Sequence, residues 1–184
     1  MKIPGSIIAL AIIIGAVFIF VEKTSENDAP LPIIPTNMKI TSTVFEHNQK
    51  IPSKYTCDAD NISPELSFSD VSEDAKSLVL ISHDPDAPRP GGWIHWVVIN
   101  MDPTTTGIGE NSKPSSGLET TTSFGQPGYG GPCPPSGSHR YYFYLYALDT
   151  TLDLDAEATK AEVETAMEGH ILEKAELMGN YQRQ

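Results

Sequence analysis

Basic residues are scarce in this chain. It carries 12 Lys and Arg against 24 Asp and Glu, a formal net charge of −12. The few cations are scattered, whereas a nucleic-acid backbone is bound by clustered Lys and Arg. A nucleic-acid partner is therefore excluded, and the same acidity disfavours electrostatic docking on anionic lipid. Cysteine is nearly absent, with only Cys57 and Cys133. Neither falls in the first 21 residues, which rules out a lipoprotein anchor there. The common catalytic and cofactor-binding signatures are missing too: no P-loop, no His-Glu-x-x-His helix, no Gly-x-Ser-x-Gly elbow and no Cys-x-x-Cys pair. Ser138 directly precedes His139, but neighbours on a strand point to opposite faces, so they form no dyad. No cofactor is implied.

One long apolar run is present. Ile3 to Val21 holds nineteen residues without a charge, close to the roughly 20 that a helix needs to cross a bilayer core. No small-x-small cleavage site follows it. Residues 1–21 read as a transmembrane signal anchor, with Lys2 on the cytoplasmic side and the remaining chain outside. The alternative is a signal peptide that is cleaved to release a secreted domain. Residues 22–37, with Pro30, Pro32 and Pro35, read as a semi-extended linker. Only two basic and three acidic residues (Lys2, Lys23, Glu22, Glu26, Asp28) precede Met38, so the acidity belongs to the domain that follows. In an oxidising compartment Cys57 and Cys133 could form one disulfide or remain two buried thiols; sequence does not supply the geometry that decides.

Residues 38–184 hold enough apolar material for a core, the whole chain being 39% hydrophobic and 8% aromatic. MKITSTVF (38–45) and ELSFSDV (65–71) alternate as strands do. LVLI (78–81), WVVINM (96–101) and YYFYLYAL (141–148) are short continuous apolar runs, the pattern of strands covered on both faces. Residues 102–130, rich in Thr, Ser, Gly and Pro, read as a surface excursion. Near the C-terminus the period changes. Thr159 and Glu162 have capping-box spacing, and Val163, Ala166, Met167, His170 and Ile171 recur at helical intervals. Gly169 then sits within a helix and Gly179 terminates it.

Polar and constrained residues concentrate in two segments. His83, Asp84 and Asp86 follow an apolar strand, Pro90-Gly91-Gly92 turns the chain, and His95 precedes the next strand. Further on, Gly130-Gly131-Pro132 and Pro134-Pro135 lead into His139-Arg140-Tyr141. Two imidazoles and a phenol supply donors, glycine turns expose backbone N–H groups, and a carboxylate orients a histidine. An aspartate beside a histidine also raises the histidine pKa, which favours the charged form that binds an anion. Taken singly, each residue has a plainer role. Asp84 or Asp86 can cap a turn, the histidines and Tyr141 can be satisfied core residues, and Arg140 can be a structural ion pair.

The sequences DPDAP (84–88) followed by Gly92-Trp93-Ile94-His95-Trp96, and GPCPPSGSHRY (131–141), resemble the two signature regions of the phosphatidylethanolamine-binding protein family. The microbial, Raf kinase inhibitor-like branch is the nearest in pattern. IPSKYTCDADNISPELSF (51–68) resembles the segment before the first signature in that branch, and GHILEKAELMGNYQR (169–183) its C-terminal helix and tail. The resemblance implies a mainly β fold of two packed antiparallel sheets with Greek-key connections and small flanking helices. It also implies a pocket for phosphate, acetate or phosphorylated head groups. Carried over position by position, Asp84, Asp86 and His95 belong to the first half of that pocket. Gly131 (through its backbone amide), His139 and Tyr141 belong to the second, with Pro132 and Pro135 shaping the wall. Cys133 stands where eukaryotic relatives have another proline, which separates this chain from the kinase-inhibiting role of animal members.

Three functions follow, in order of preference. The first is a non-enzymatic binding module for a small anionic or phosphorylated ligand. The second is an inhibitor or regulator of a kinase, protease or other protein partner. The third is a hydrolase with a metal held by His83, His95, His139 and nearby carboxylates, disfavoured because no two of these histidines have the close spacing of a ligand pair. Membrane contact is expected only through the N-terminal segment.

Overall fold

The computed structural model describes residues 37–184. The expected anchor at 1–21 and nearly all of the linker lie outside the described residues. Among the described residues no helix is long and apolar enough to cross a membrane.

Eight strands and one α-helix make up the described domain. β1 (Lys39–Thr41), β2 (Leu66–Ser69) and β5 (Gly107–Ile108) form a small antiparallel sheet in the order β1-β2-β5. β3 (Ser77–Asp84), β4 (Trp93–Met101), β6 (Leu118–Glu119), β7 (Ser138–Leu148) and β8 (Ile171–Gln182) form a second sheet in the order β6-β4-β3-β7-β8. The order is non-sequential, because β7 leaves the β6 edge and pairs with β3 on the far side of β4. The architecture is therefore mainly β, two antiparallel sheets with one helix.

The continuous apolar runs have a simple cause. Alternate residues of β3, β4 and β7 supply two different cores. Leu78, Leu80, Trp96, Val98, Tyr141, Phe143 and Leu145 pack against Ile40, Leu66 and Phe68 of the small sheet. Val79, Ile81, Val97, Ile99, Tyr146 and Leu148 pack on the opposite face, against Leu152, Ala158 and the Val163 and Met167 side chains of α1 (Lys160–Met167). Both faces of the central strands are dry.

Helix α1 begins as expected. Thr159 caps it, its hydroxyl accepting from Glu162 N–H while the Glu162 carboxylate accepts from Thr159 N–H. It ends earlier than the helical periodicity predicts. Gly169 adopts φ +78°, the left-handed conformation that stops a helix at low cost to glycine. The expected continuation through His170 and Ile171 to Gly179 is replaced by β8, which pairs with β7 from Ser138↔Gln182 to Leu148↔Ile171. Gly179 is thus no helix terminator. A Cβ there would lie 2.5 Å from Ile51 and 2.9 Å from Phe45, so the strand needs glycine to let the 45–51 segment pack close. The 102–130 excursion is also more than surface. It contributes β5 and β6 and buries Ile108, Thr120 and Thr122.

Candidate functional site

Pairing register explains why four distant residues meet. On β7, His139 and Tyr141 share the face that carries Phe143 and Leu145. His83 pairs with Tyr142, so Asp84 and Tyr141 lie side by side one step further on. β4 supplies the fourth residue through a β-bulge. Ser82 pairs with Trp96 and His83 with Ile94, which leaves His95 as the extra residue between them. Bulges re-aim side chains and often stand next to functional sites. Here the bulge places His95 edge-on to Tyr141, ring centroids 5.2 Å apart.

These side chains are buried at the end of the sheet: Asp84 is 3% exposed, His95 3%, His139 7% and Tyr141 1%. Asp84 is the hub. Its Oδ2 accepts from His139 Nδ1 at 2.8 Å and its Oδ1 from the Asp86 N–H at 2.8 Å. The His139 ring stacks on Tyr141 at 6.4 Å. His95 Nδ1 donates to the Gly130 carbonyl at 2.6 Å. Burial holds the His95 pKa down at about 4, against weaker upward pulls from the Gly130 carbonyl and the Asp84 charge. The expectation of a charged histidine beside an aspartate therefore fails at His95. Burial outweighs the carboxylate, whose closest partner is His139. Burial and the nearby Asp84 charge also push the Tyr141 hydroxyl pKa well up, so it stays a phenol.

Among the described residues three buried side-chain polar atoms have no hydrogen-bond partner: His95 Nε2, Tyr141 Oη and Thr120 Oγ1. Two of the three belong to residues in contact at this site. Buried polar groups are almost always paired, so two unpartnered atoms on residues in contact are unusual. The approach of the Tyr141 hydroxyl to Asp84 falls outside hydrogen-bond geometry.

A cavity of about 250 Å³ opens here, with Asp84, His95, Cys133 and Pro135 among its lining residues. Trp93, Phe124, Ala87 and Pro88 complete the lining and make most of it apolar. Trp93 falls inside the first signature, but nothing in the sequence singled out Phe124, which is 45% exposed. Its ring packs on Trp93 at 5.4 Å and on His95 at 5.7 Å. A wider groove near Lys39, Asp70 and Glu173 lies elsewhere, and its polar groups largely pair with one another.

Other predicted residues occupy supporting positions. Asp86 takes three hydrogen bonds from Arg140, through the backbone N–H, Nε and Nη2, at 2.9, 2.9 and 2.6 Å. That guanidinium holds the Asp86 pKa down at about 2. The pair clamps the 84–88 turn onto β7. The Gly131 amide, expected to face a ligand, already donates to Asn61 Oδ1 at 2.8 Å. A Cβ on Gly131 would come within 2.4 Å of the Tyr55 carbonyl, so glycine serves close packing there. Pro132 is buried behind the wall, its carbonyl accepting from Cys57 N–H at 3.1 Å, while Pro135 lines the cavity. The Pro90-Gly91-Gly92 turn borders a separate depression on the α1 side. His83 binds the Gly91 carbonyl there, on the opposite sheet face from His95 and His139. Among the described residues no three His, Cys, Asp or Glu side chains are grouped to hold a metal.

Cys57 and Cys133 are joined in a disulfide that links residues 76 apart in sequence. It ties the 51–61 segment to the cavity wall.

Fold and site together define a β-sandwich binding domain with a small, mostly apolar cavity and a buried Asp–His pair at its base. The sequence model for "Phosphatidylethanolamine-binding protein" matches residues 41–182. The chain belongs to that family. It is 50% identical over 151 residues to a UPF0098 protein of Methanothermobacter thermautotrophicus, covering 79% of this chain and 99% of that one. A UPF0098 protein of Chlamydia trachomatis is 47% identical over 152 residues, with the same coverage. Among solved structures, a phosphatidylethanolamine-binding protein homologue from Chlamydia trachomatis superposes with a TM-score of 0.77 at 46% identity, over 80% of this chain and 98% of that one. E. coli YbcL, described as a new member of the mammalian family, gives a TM-score of 0.75 at 29% identity, over 80% and 99% of the two chains.

Proposed function

We propose that this domain is a non-enzymatic binding module whose cavity takes a small anionic or phosphorylated ligand. The observation that carries the reading is the unpartnered buried His95 Nε2 on a residue that lines a cavity of about 250 Å³, with the Tyr141 ring packed edge-on behind it. The volume suits one head group rather than a whole lipid. Asp84 and His139 hold each other in place, so the polar end is rigid before a ligand arrives, which lowers the entropic cost of binding. Trp93, Phe124 and Pro135 supply apolar contacts for whatever substituent the anionic group carries.

The domain works outside the cytoplasm, held at the cell membrane by the segment at 1–21. The Cys57–Cys133 disulfide supports the position outside the cytoplasm, because such bonds persist in oxidising compartments.

Titration of the full-length chain with phosphoethanolamine, followed through the imidazole resonances, tests the binding role. Saturable shifts of His95 and His139 are expected. No movement of either at millimolar ligand would remove it.

A further inference from the structure

A second groove, of about 310 Å³, borders the 127–129 segment and shares no lining residue with the cavity. The chain between them faces both ways. The Gly130 carbonyl accepts from His95, which lines the cavity, and the Gly131 N–H donates to Asn61 Oδ1, on a residue that lines the groove. A backbone N–H only donates, so the Asn61 atom it meets is the oxygen, and the Asn61 NH₂ keeps two free donors. Glu119 pairs with Val98 and so shares the sheet face of Trp96. Its Oε1 accepts from Trp96 Nε1 at 2.8 Å, which leaves Oε2 open. Asn111 also borders the groove, its backbone N–H donating to the Ser63 carbonyl at 3.0 Å. The Tyr129 ring is held by the bond from its hydroxyl to the Tyr55 carbonyl at 2.8 Å. It packs edge-on to Trp96 and supplies apolar wall.

Ser63 is the residue that points to a ligand. It is 5% exposed and lines the groove, and its hydroxyl has no hydrogen-bond partner among the described residues. The three unpartnered atoms that are sealed from solvent belong to other residues, so this hydroxyl keeps an opening onto the groove. An unpaired hydroxyl at that depth costs stability, and a ligand that reaches it restores the bond. Lys113 and Glu119 carry opposite charges, and neither enters an ion pair among the described residues. The groove is therefore neutral as a whole. Its other polar side chains, Asn61, Ser63 and Asn111 among them, are amides and hydroxyls, which both donate and accept.

A sugar has the matching chemistry. It is uncharged, each of its hydroxyls donates and accepts, and its C–H groups pack on an aromatic ring such as Tyr129. An anion would meet Glu119 and a cation Lys113, like charge against like. We infer that this groove is a second binding site, and that it takes a neutral pyranose sugar. Asn61 and Lys113 donate to the sugar hydroxyls, the Glu119 carboxylate accepts from them, and Ser63 gains the partner it lacks. The volume lies at the lower end of the roughly 300–1,000 Å³ of small-molecule sites, which suits one sugar unit. The site stands independently of the binding role proposed for the cavity.

The chain has two tryptophans, and they report on the two sites separately: Trp93 lines the cavity and Trp96 the groove. Their indole N–H resonances can be followed in the full-length chain as glucose, galactose, mannose or N-acetylglucosamine is added. At least one of these sugars should move the Trp96 signal saturably in the millimolar range and move Trp93 much less. Glu119→Gln keeps an acceptor for Trp96 Nε1, and Asn61→Asp keeps one for the Gly131 N–H. Each should nevertheless weaken sugar binding about tenfold, by removing a hydrogen bond to the ligand. Ser63→Ala should also weaken it while melting no lower than the parent, because the hydroxyl has no internal bond to lose. Four sugars that leave Trp96 unmoved at tens of millimolar would overturn the inference. So would equal shifts of both indoles, binding unaffected by Asn61→Asp and Glu119→Gln, or a Ser63→Ala variant that loses stability but no sugar affinity. None of these results bears on the cavity, whose binding role is tested by phosphoethanolamine.

Discussion

Removing the disulfide should lower the stability of this domain more than any single surface change. Cys57 and Cys133 enclose a loop set by a sequence separation of 76. In the chain-entropy description, closing a loop of that length in the unfolded state is worth about 4.5 kcal/mol at 25 °C. That is a large part of the roughly 5–15 kcal/mol by which domains are stable. For a domain of this size each kcal/mol moves the midpoint by about 2–4 °C. A Cys57→Ser, Cys133→Ser variant should therefore melt roughly 9–18 °C below the parent by calorimetry or circular dichroism. The bond also fixes the cavity wall, since Cys133 lines the cavity and Cys57 N–H donates to the Pro132 carbonyl. The variant should bind phosphoethanolamine more weakly even at temperatures where it is fully folded. A midpoint within about 3 °C of the parent would refute the reasoning and show that the 51–61 segment is held by its other contacts alone.

The neutral state of His95 predicts acid sensitivity. Its pKa falls from an ordinary 6.5 to about 4 on folding, so between those values the unfolded chain binds the extra proton and stability drops as pH falls. The full effect is about 3 kcal/mol by pH 4, and urea unfolding at a series of pH values should show a His95→Gln variant losing less over that window. Gly131→Ala should cost about 1–3 kcal/mol in the same assay, because its Cβ meets the Tyr55 carbonyl and Asn61. A neutral result there would mean that the 55–61 segment can yield.

How much of this was legible in the sequence varied with the physics behind each feature. The central strands could be read because burial on both faces leaves an unmistakable mark, as in the alternating sides of Tyr141 to Leu148. β8 could not. Leu172, Glu173, Lys174, Ala175, Glu176, Leu177 and Met178 are good helix formers. What overrides them is eleven residue pairings with β7, a long-range contribution that local propensity cannot express. The true end of α1 was written in Gly169, but a glycine inside an apparently continuous helical period reads as a tolerated exception rather than a stop. Asn61 was hidden for a related reason. Its partner, Gly131, is 70 residues away, and no local pattern joins them.

The site shows a finer division. Which residues converge could be read from two short segments, and Asp84, His95, His139 and Tyr141 do meet. Their protonation could not, because it depends on which neighbour each donor reaches. Counting residue types, an aspartate and two histidines suggest a cationic pocket. The geometry gives Asp84 to His139 and Gly130 to His95, so one histidine faces a carboxylate while the other faces a carbonyl. A carbonyl fixes a tautomer without supplying the full negative charge that would hold a second proton. Burial then decides, and His95 stays neutral.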